Sequence, residues 1–265
     1  GYFFFPEMGV AGAAVATVTG QGIAALAALA LNLKKNKEIS LSMRSFKPDG
    51  KIIKMIYKIG IPSIVMVSVS SVMTFGMNII LTGFTSTATA VFGVYFKMNS
   101  VIFFPVFGIN NALVPIVAYN YGAKKKSRIK KAVKLSVIAG MSIMAIGTLL
   151  FWVIPDQLLL IFNASEDMLD IGRVAFNIIS ISFIPAGYSI ILGSVLQAVG
   201  DALFSMINSL ARQLVVLLPV AYILSRMIGL EAIWWSYPIA EVVSLLLMTI
   251  FFIRVYRKKL APLPD

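Results

Sequence analysis

The stretch FPVFGINNALVPIVAYNYGAK, residues 104–124, decides how the rest of the chain is read. It is long and apolar enough to lie in hydrocarbon, yet Pro105 and Pro115 bracket Gly108 and the adjacent amides of Asn110 and Asn111. Neighbouring side chains on a helix point about 100° apart, so at least one amide faces protein or water rather than lipid. Asn120 and Gly122 suit a helix C-terminus, where Gly readily takes the left-handed conformation and the following lysines complement the helix dipole. The stretch therefore predicts a membrane helix that carries polar groups and stops against a basic loop.

The same pattern repeats outward from it. Hydrophobic residues make up 59% of the 265 and charged ones only 13%, against roughly half and a quarter in soluble domains. They come in blocks that meet the roughly 20 residues needed to cross a bilayer. Seven spans are predicted, at about 10–33, 59–83, 91–121, 132–154, 171–199, 206–228 and 232–256. The expected fold class is an all-α integral membrane protein.

Lysine and arginine set the orientation. Lys34, Lys35, Lys37, Arg44, Lys47, Lys51, Lys54 and Lys58 fill the first connection. Lys124, Lys125, Lys126, Arg128, Lys130, Lys131 and Lys134 fill the third, and Arg254, Arg257, Lys258 and Lys259 the tail. The alternate connections hold Arg173 and Arg226 among Asp156, Glu166, Asp167, Asp170 and Glu231. Basic loops inside place the C-terminus in the cytoplasm of a cell-membrane protein. The net charge of +12 thus points to a membrane surface, not to nucleic acid. With no histidine and no cysteine, disulfides, nearly every zinc site and the usual hydrolase bases are excluded. No cofactor or metal is expected.

The chain opens Gly-Tyr-Phe-Phe-Phe-Pro, without an initiator Met or a basic leader, which predicts the C-terminal part of a longer chain. Laying Gly9 on Gly229 sets Lys34 on Arg254, Lys37 on Arg257 and Gln21 on Glu241. The first and last spans then read as equivalent helices of two repeats, a common plan in secondary transporters. Shared basic ends are also what any two helices running the same way would show. The expected division is 1–33 as the last helix of a missing N-terminal lobe and 34–58 as a basic linker. Residues 59–256 then form a six-helix lobe, and 257–265 a tail.

Pro62, Pro105, Pro115, Pro185, Pro219 and Pro238 lie within the spans. Each removes a backbone donor, and they are candidate hinges or plain kinks.

The pattern F-G-x-N-x-x-x-x-P-x-x-x-Y-N-Y-G-A-K, with the basic helix opening at 128–134, resembles the eighth helix of the multidrug and toxic compound extrusion (MATE) family. The resemblance extends to Lys58-Ile59-Gly60-Ile61-Pro62-Ser63, to residues 193–201, to Leu210-Ala211-Arg212-Gln213 with Pro219, and to Trp235-Ser236-Tyr237-Pro238-Ile239-Ala240-Glu241. Residues 9–17 resemble the family's sixth helix, so the likeness covers nearly the whole chain as helices six to twelve. It implies one lobe of a two-lobe antiporter. Such proteins export amphipathic, often cationic compounds in exchange for H⁺ or Na⁺. Some members carry coupling acids in their seventh and tenth helices, but the matching spans here hold none. Asn177 and Gln197 are the large polar groups of the fifth.

Glu241 is the acid that lies well inside a span, where a charge costs roughly 2.5–3.5 kcal/mol and faces the interior. Arg212 on the preceding span is its expected partner, although their backbones lie about 10 Å apart in depth at 1.5 Å per residue. The pair reads either as structural or as a titrating, substrate-facing group. Lys97 has two readings as well: its stem can snorkel to the interface, or its charge can line the cavity. Asn78, Tyr95, Asn99, Asn110 and Asn111 are the other candidate lining groups. Met and Phe suit both an adaptable drug pocket and lipid-facing packing.

A lipid flippase and a receptor are the alternative classes. A lipid-linked sugar flippase needs a strongly cationic cavity, and the spans offer only Lys97 and Arg212. A seven-helix receptor shares the span count but not the repeat or the motifs.

Overall fold

Backbone groups in hydrocarbon have no water to bond, so long apolar segments satisfy them within helices. In the computed structural model, which describes residues 8–36 and 47–264, every regular element is helical. The expected Lys37 and Arg44 of the linker and the opening residues 1–7 lie outside the described residues. The chain divides between Ile53 and Lys54 into two units.

The first unit contains α1 (Gly9–Lys35), apolar around its circumference and closed by Lys34 and Lys35 in its last turn. Gly9 at φ +50° and Gly229 at φ +119° both stand at the start of a helical run. The two runs differ in continuity, because α1 is unbroken.

α2 (Gly50–Thr82) leads into the second unit, which goes on with α3 (Ser86–Gly122), α4 (Lys126–Val153), α5 (Pro155–Leu160), α6 (Glu166–Ser180), α7 (Phe183–Ala198) and α8 (Ala202–Leu210). It continues through a π-helical segment (Ala211–Leu217), α9 (Leu218–Met227), α10 (Leu230–Ile233), α11 (Ser236–Val255) and a second π-helical segment (Tyr256–Leu260). Among the described residues, six helical runs are long and apolar enough to cross a membrane. The pair α6–α7, bent by 46°, passes the same test of length and apolarity together, and counts as a seventh where the two are taken as one broken span.

Several helices begin earlier than the hydropathy suggests. α2 starts at Gly50 and α4 at Lys126, so Lys51, Lys54, Lys130, Lys131 and Lys134 are helical rather than loop residues. Long basic side chains at the end of a membrane helix reach the headgroups while their backbone stays helical. The tail likewise stays helical to Leu260. Gly122 is the last helical residue of α3, and the left-handed position falls instead on Lys124, at φ +55°. The Lys125 N–H then reaches back to the Asn120 carbonyl at 2.9 Å, closing the helix end.

The prolines fall into two groups. Pro185 and Pro238 lie in the first turns of α7 and α11, where a missing N–H costs little, while Pro219 follows the π-helical segment within one continuous helical run. Pro62, Pro105 and Pro115 lie inside the continuous α2 and α3.

Glycines let the helices approach. A Cβ on Gly187 of α7 would meet Met144 Cγ at 2.9 Å and the Gly140 carbonyl oxygen at 3.2 Å, so α4 and α7 touch almost backbone to backbone. This is small-residue packing of the kind membrane helices use in place of a hydrophobic drive. Around that seam the rings of Phe151, Phe176 and Phe183 are fully buried. Phe151 packs 4.5 Å from Phe176 and 5.2 Å from Phe183, between ring centroids. At the acidic end, Arg173 clasps Asp156 with two bonds of 2.6 and 2.9 Å. Hydrogen bonding to Arg173 holds the Asp156 carboxyl below its usual range.

Candidate functional site

The site grows from polar residues at helical spacing on three otherwise apolar helices. Ser205, Asn208 and Arg212 are spaced by three and four along α8 and the π-helical segment, and so share a face. Ser189, Gly193 and Gln197 do the same on α7, and Glu241, Ser244 and Met248 on α11. All nine line one cavity of about 190 Å³. Asn110 reaches it from α3.

Arg212 Nη1 lies 3.0 Å from Glu241 Oε2, so the two side chains span the expected difference in depth. Glu241 is 3% exposed, whereas about a third of the Arg212 side chain is open. Arg212 stands in the π-helical segment, whose wider turn shows where the Leu218 N–H bonds to Gln213 rather than Leu214. Pro219 follows immediately, with a ring that would crowd the carbonyl four residues earlier in a regular helix. The wide turn precedes that clash. Such π turns recur at functional positions.

Asn208 Nδ2 donates to Ser244 Oγ at 2.9 Å, and Ser205 Oγ donates to the Gly193 carbonyl at 3.0 Å. Four buried atoms lining the cavity have no partner: Glu241 Oε1, Asn208 Oδ1, Asn110 Oδ1 and Ser189 Oγ. Buried polar atoms are rarely left unmatched. Here three are pure acceptors and the fourth is a hydroxyl, so the cavity suits water, an ammonium group or a hard cation that prefers oxygen. Among the described residues no cluster of three or more His, Cys, Asp or Glu exists to hold a metal.

A second cavity of about 460 Å³ adjoins the first and shares Met66, Phe107, Ala186, Ile190, Ser209, Arg212 and Glu241 with it. Its walls include Met73, Tyr95, Phe96, Phe103, Phe104 and Tyr237, with Asn99, Ser100 and Ser70 as polar points. The size and the apolar, aromatic lining fit a drug-sized ligand. Tyr95 donates to Asn99 Oδ1 at 3.4 Å.

The structure thus gathers Tyr95, Asn99, Asn110, Gln197, Arg212 and Glu241 around two joined cavities. Four other sequence candidates line neither. The Lys97 ammonium sits 5.4 Å from the centre of the Phe162 ring, away from the cavity, where its long stem carries it. Asn111 and Asn177 are exposed, and Asn78 is half-buried on α2. The helical rotation of about 100° turns Asn110 into the cavity and leaves its neighbour outside. Ser189, Ser205, Asn208, Ser209 and Ser244 were missed. Their three- and four-residue spacing to Gln197, Arg212 and Glu241 was the available signal.

The family model MatE matches residues 62–223, more than half of the chain. The chain belongs to the MatE family. It is 26% identical over 254 residues to the multidrug export protein MepA of Staphylococcus haemolyticus, a match over 96% of this chain and 56% of that protein. It is 27% identical over 265 residues to the probable multidrug resistance protein YoeA of Bacillus subtilis, covering 98% of this chain and 57% of the relative. Among solved structures, the MATE multidrug transporter DinF-BH is 31% identical. Its TM-score is 0.83 over 94% of this chain and 56% of that one. An outward-facing MATE family transporter shares the fold at a TM-score of 0.84 and 21% identity, over 94% of this chain and 57% of that one. The chain spans a little over half the length of these relatives. It is therefore a helical membrane chain of a multidrug efflux family, a family of transporters and not of enzymes.

Proposed function

We propose that this MatE chain forms one lobe of a secondary antiporter that exports amphipathic, often cationic compounds against an inward flow of H⁺ or Na⁺. In this reading the larger cavity takes the apolar body of the substrate, and Glu241 meets either its charge or the coupling ion. The observation that carries the reading is the set of four unpartnered buried oxygens beside the Arg212–Glu241 pair. A cation that approaches Glu241 Oε1 competes with Arg212 for the same carboxylate. Arg212 can turn into the larger cavity when displaced, and such competition is the minimum requirement for exchange. The lobe sits in the cell membrane with its basic loops and C-terminus in the cytoplasm, and works with a second lobe across a shared path. Met66, Met73 and the surrounding rings give the adaptable surface that varied substrates need.

The reading is tested by following accumulation of a fluorescent lipophilic cation in cells that express the complete gene. Collapse of the proton gradient or of the sodium gradient is expected to abolish export. Export that continues with both gradients collapsed would overturn it. The lipid-linked sugar alternative has less support, because Lys97 leaves the cavity and Arg212 is already neutralised by Glu241.

A further inference from the structure

Lys126, Lys130 and Lys134 follow one another at intervals of four residues along the first turns of α4, and so stand in a row on one face. They edge a groove of about 240 Å³ between α4 and the end of α11, walled by Val133, Phe252, Tyr256 and Leu260. The three lysines do not share one role. Lys126 is engaged by the chain end: its Nζ donates to the Ala261 carbonyl at 2.8 Å and its N–H to the Pro264 carbonyl at 3.4 Å. Lys130 and Lys134 are exposed, and neither has an ion-pair partner among the described residues. Like charges one turn apart repel each other. Yet both stand on the rim of an apolar groove, where an anion would relieve that repulsion.

The groove opens onto a lipid-facing surface. Ile138, one turn beyond Lys134 on the same row and 53% exposed, carries the apolar face of α4 away from the basic end. A ligand that fits has a negative head near two lysines and a hydrocarbon chain along Val133 and Phe252. Soluble anions satisfy only the first condition. A zwitterionic lipid brings its own ammonium group to the lysines. The geometry points to this groove as a binding site for an anionic phospholipid, with its phosphate held between Lys130 and Lys134 and an acyl chain laid in the groove. Basic pockets between membrane helices recognise acidic headgroups by this combination of charge and apolar contact.

The test uses the purified protein in nanodiscs of phosphatidylcholine with a minor fraction of phosphatidylglycerol, and native mass spectrometry to count the lipid kept on release. Phosphatidylglycerol is expected to be retained over phosphatidylcholine. The pair Lys130→Ala and Lys134→Ala is expected to reduce that retention about 30-fold. Arg128→Ala with Lys131→Ala removes the same charge from exposed positions of α4 outside the groove, and is expected to leave retention unchanged. Phe252→Ala is expected to shorten retention with all charges in place. Equal losses from both double variants would overturn the proposal in favour of a diffuse basic surface. Displacement of the lipid by millimolar inorganic phosphate, with no effect of Phe252→Ala, would overturn it in favour of a small-anion site.

Discussion

Glu241→Leu, made alone, is expected to abolish export and to destabilise the lobe, whereas the same change with Arg212→Met restores stability but not export. Removing one partner of a buried ion pair typically costs about 3–5 kcal/mol, because the other charge is left desolvated. About a third of the Arg212 side chain is exposed, so its charge keeps some solvation and the cost falls at the low end of that range. Replacing both partners with apolar groups of similar volume is often neutral or stabilising. The double variant therefore separates a structural pair from a working one. Folded protein is read by size-exclusion in detergent as the sample is heated, and export by accumulation of a fluorescent lipophilic cation. A double variant that exports like the unmodified protein would reduce the pair to a structural tie.

The second large effect lies away from the cavities. Gly187→Leu is expected to remove most folded protein from the membrane, at about 3 kcal/mol or more, the upper end for overpacking. Its first added carbon would meet Met144 Cγ at 2.9 Å and the Gly140 carbonyl at 3.2 Å. Met144 can shift, but the carbonyl belongs to the backbone of α4 and cannot shift alone. The side chain must then force the two helices apart. Gly93→Leu, at an exposed helical position with open space around it, is expected to leave the folded amount nearly unchanged. Equal yields from the two variants would show that α4 and α7 are not held at backbone contact.

Hydropathy made the spans legible because a crossing helix must be apolar along some 20 residues, and that requirement does not depend on neighbours. Their ends were less legible. Lys51 or Lys130 reads as loop when only polarity is counted, though each sits on a helix. The Arg212–Glu241 pair could be inferred because a lone acid deep in a span needs a partner, and the preceding span offered Arg212 within reach of its depth. Lys97 could not be settled from sequence. Its position in the span fits both a cavity and the interface, and only the placement of Phe162 decides. The serines were overlooked for a different reason. A single hydroxyl in a membrane helix can bond its own backbone, as Ser194 does to the Ile190 carbonyl at 2.9 Å, so it gives little signal alone. Only the alignment of Ser205 with Asn208 and Arg212, against Ser244 and Glu241 on the facing helix, shows a shared polar cavity. That alignment depends on which helix faces which.

The central claim is that the paired cavities beside Glu241 take the exported compound. Cysteine is absent from this chain, so single thiols can be placed at Asn99, in the larger cavity, and at Asn111, one helix face away. The direct measurement is maleimide labelling of each thiol in a cysteine-free background, with and without saturating tetraphenylphosphonium. The account predicts that the cation shields Asn99→Cys and leaves the labelling rate of Asn111→Cys unchanged. Shielding at Asn111→Cys with none at Asn99→Cys would contradict it.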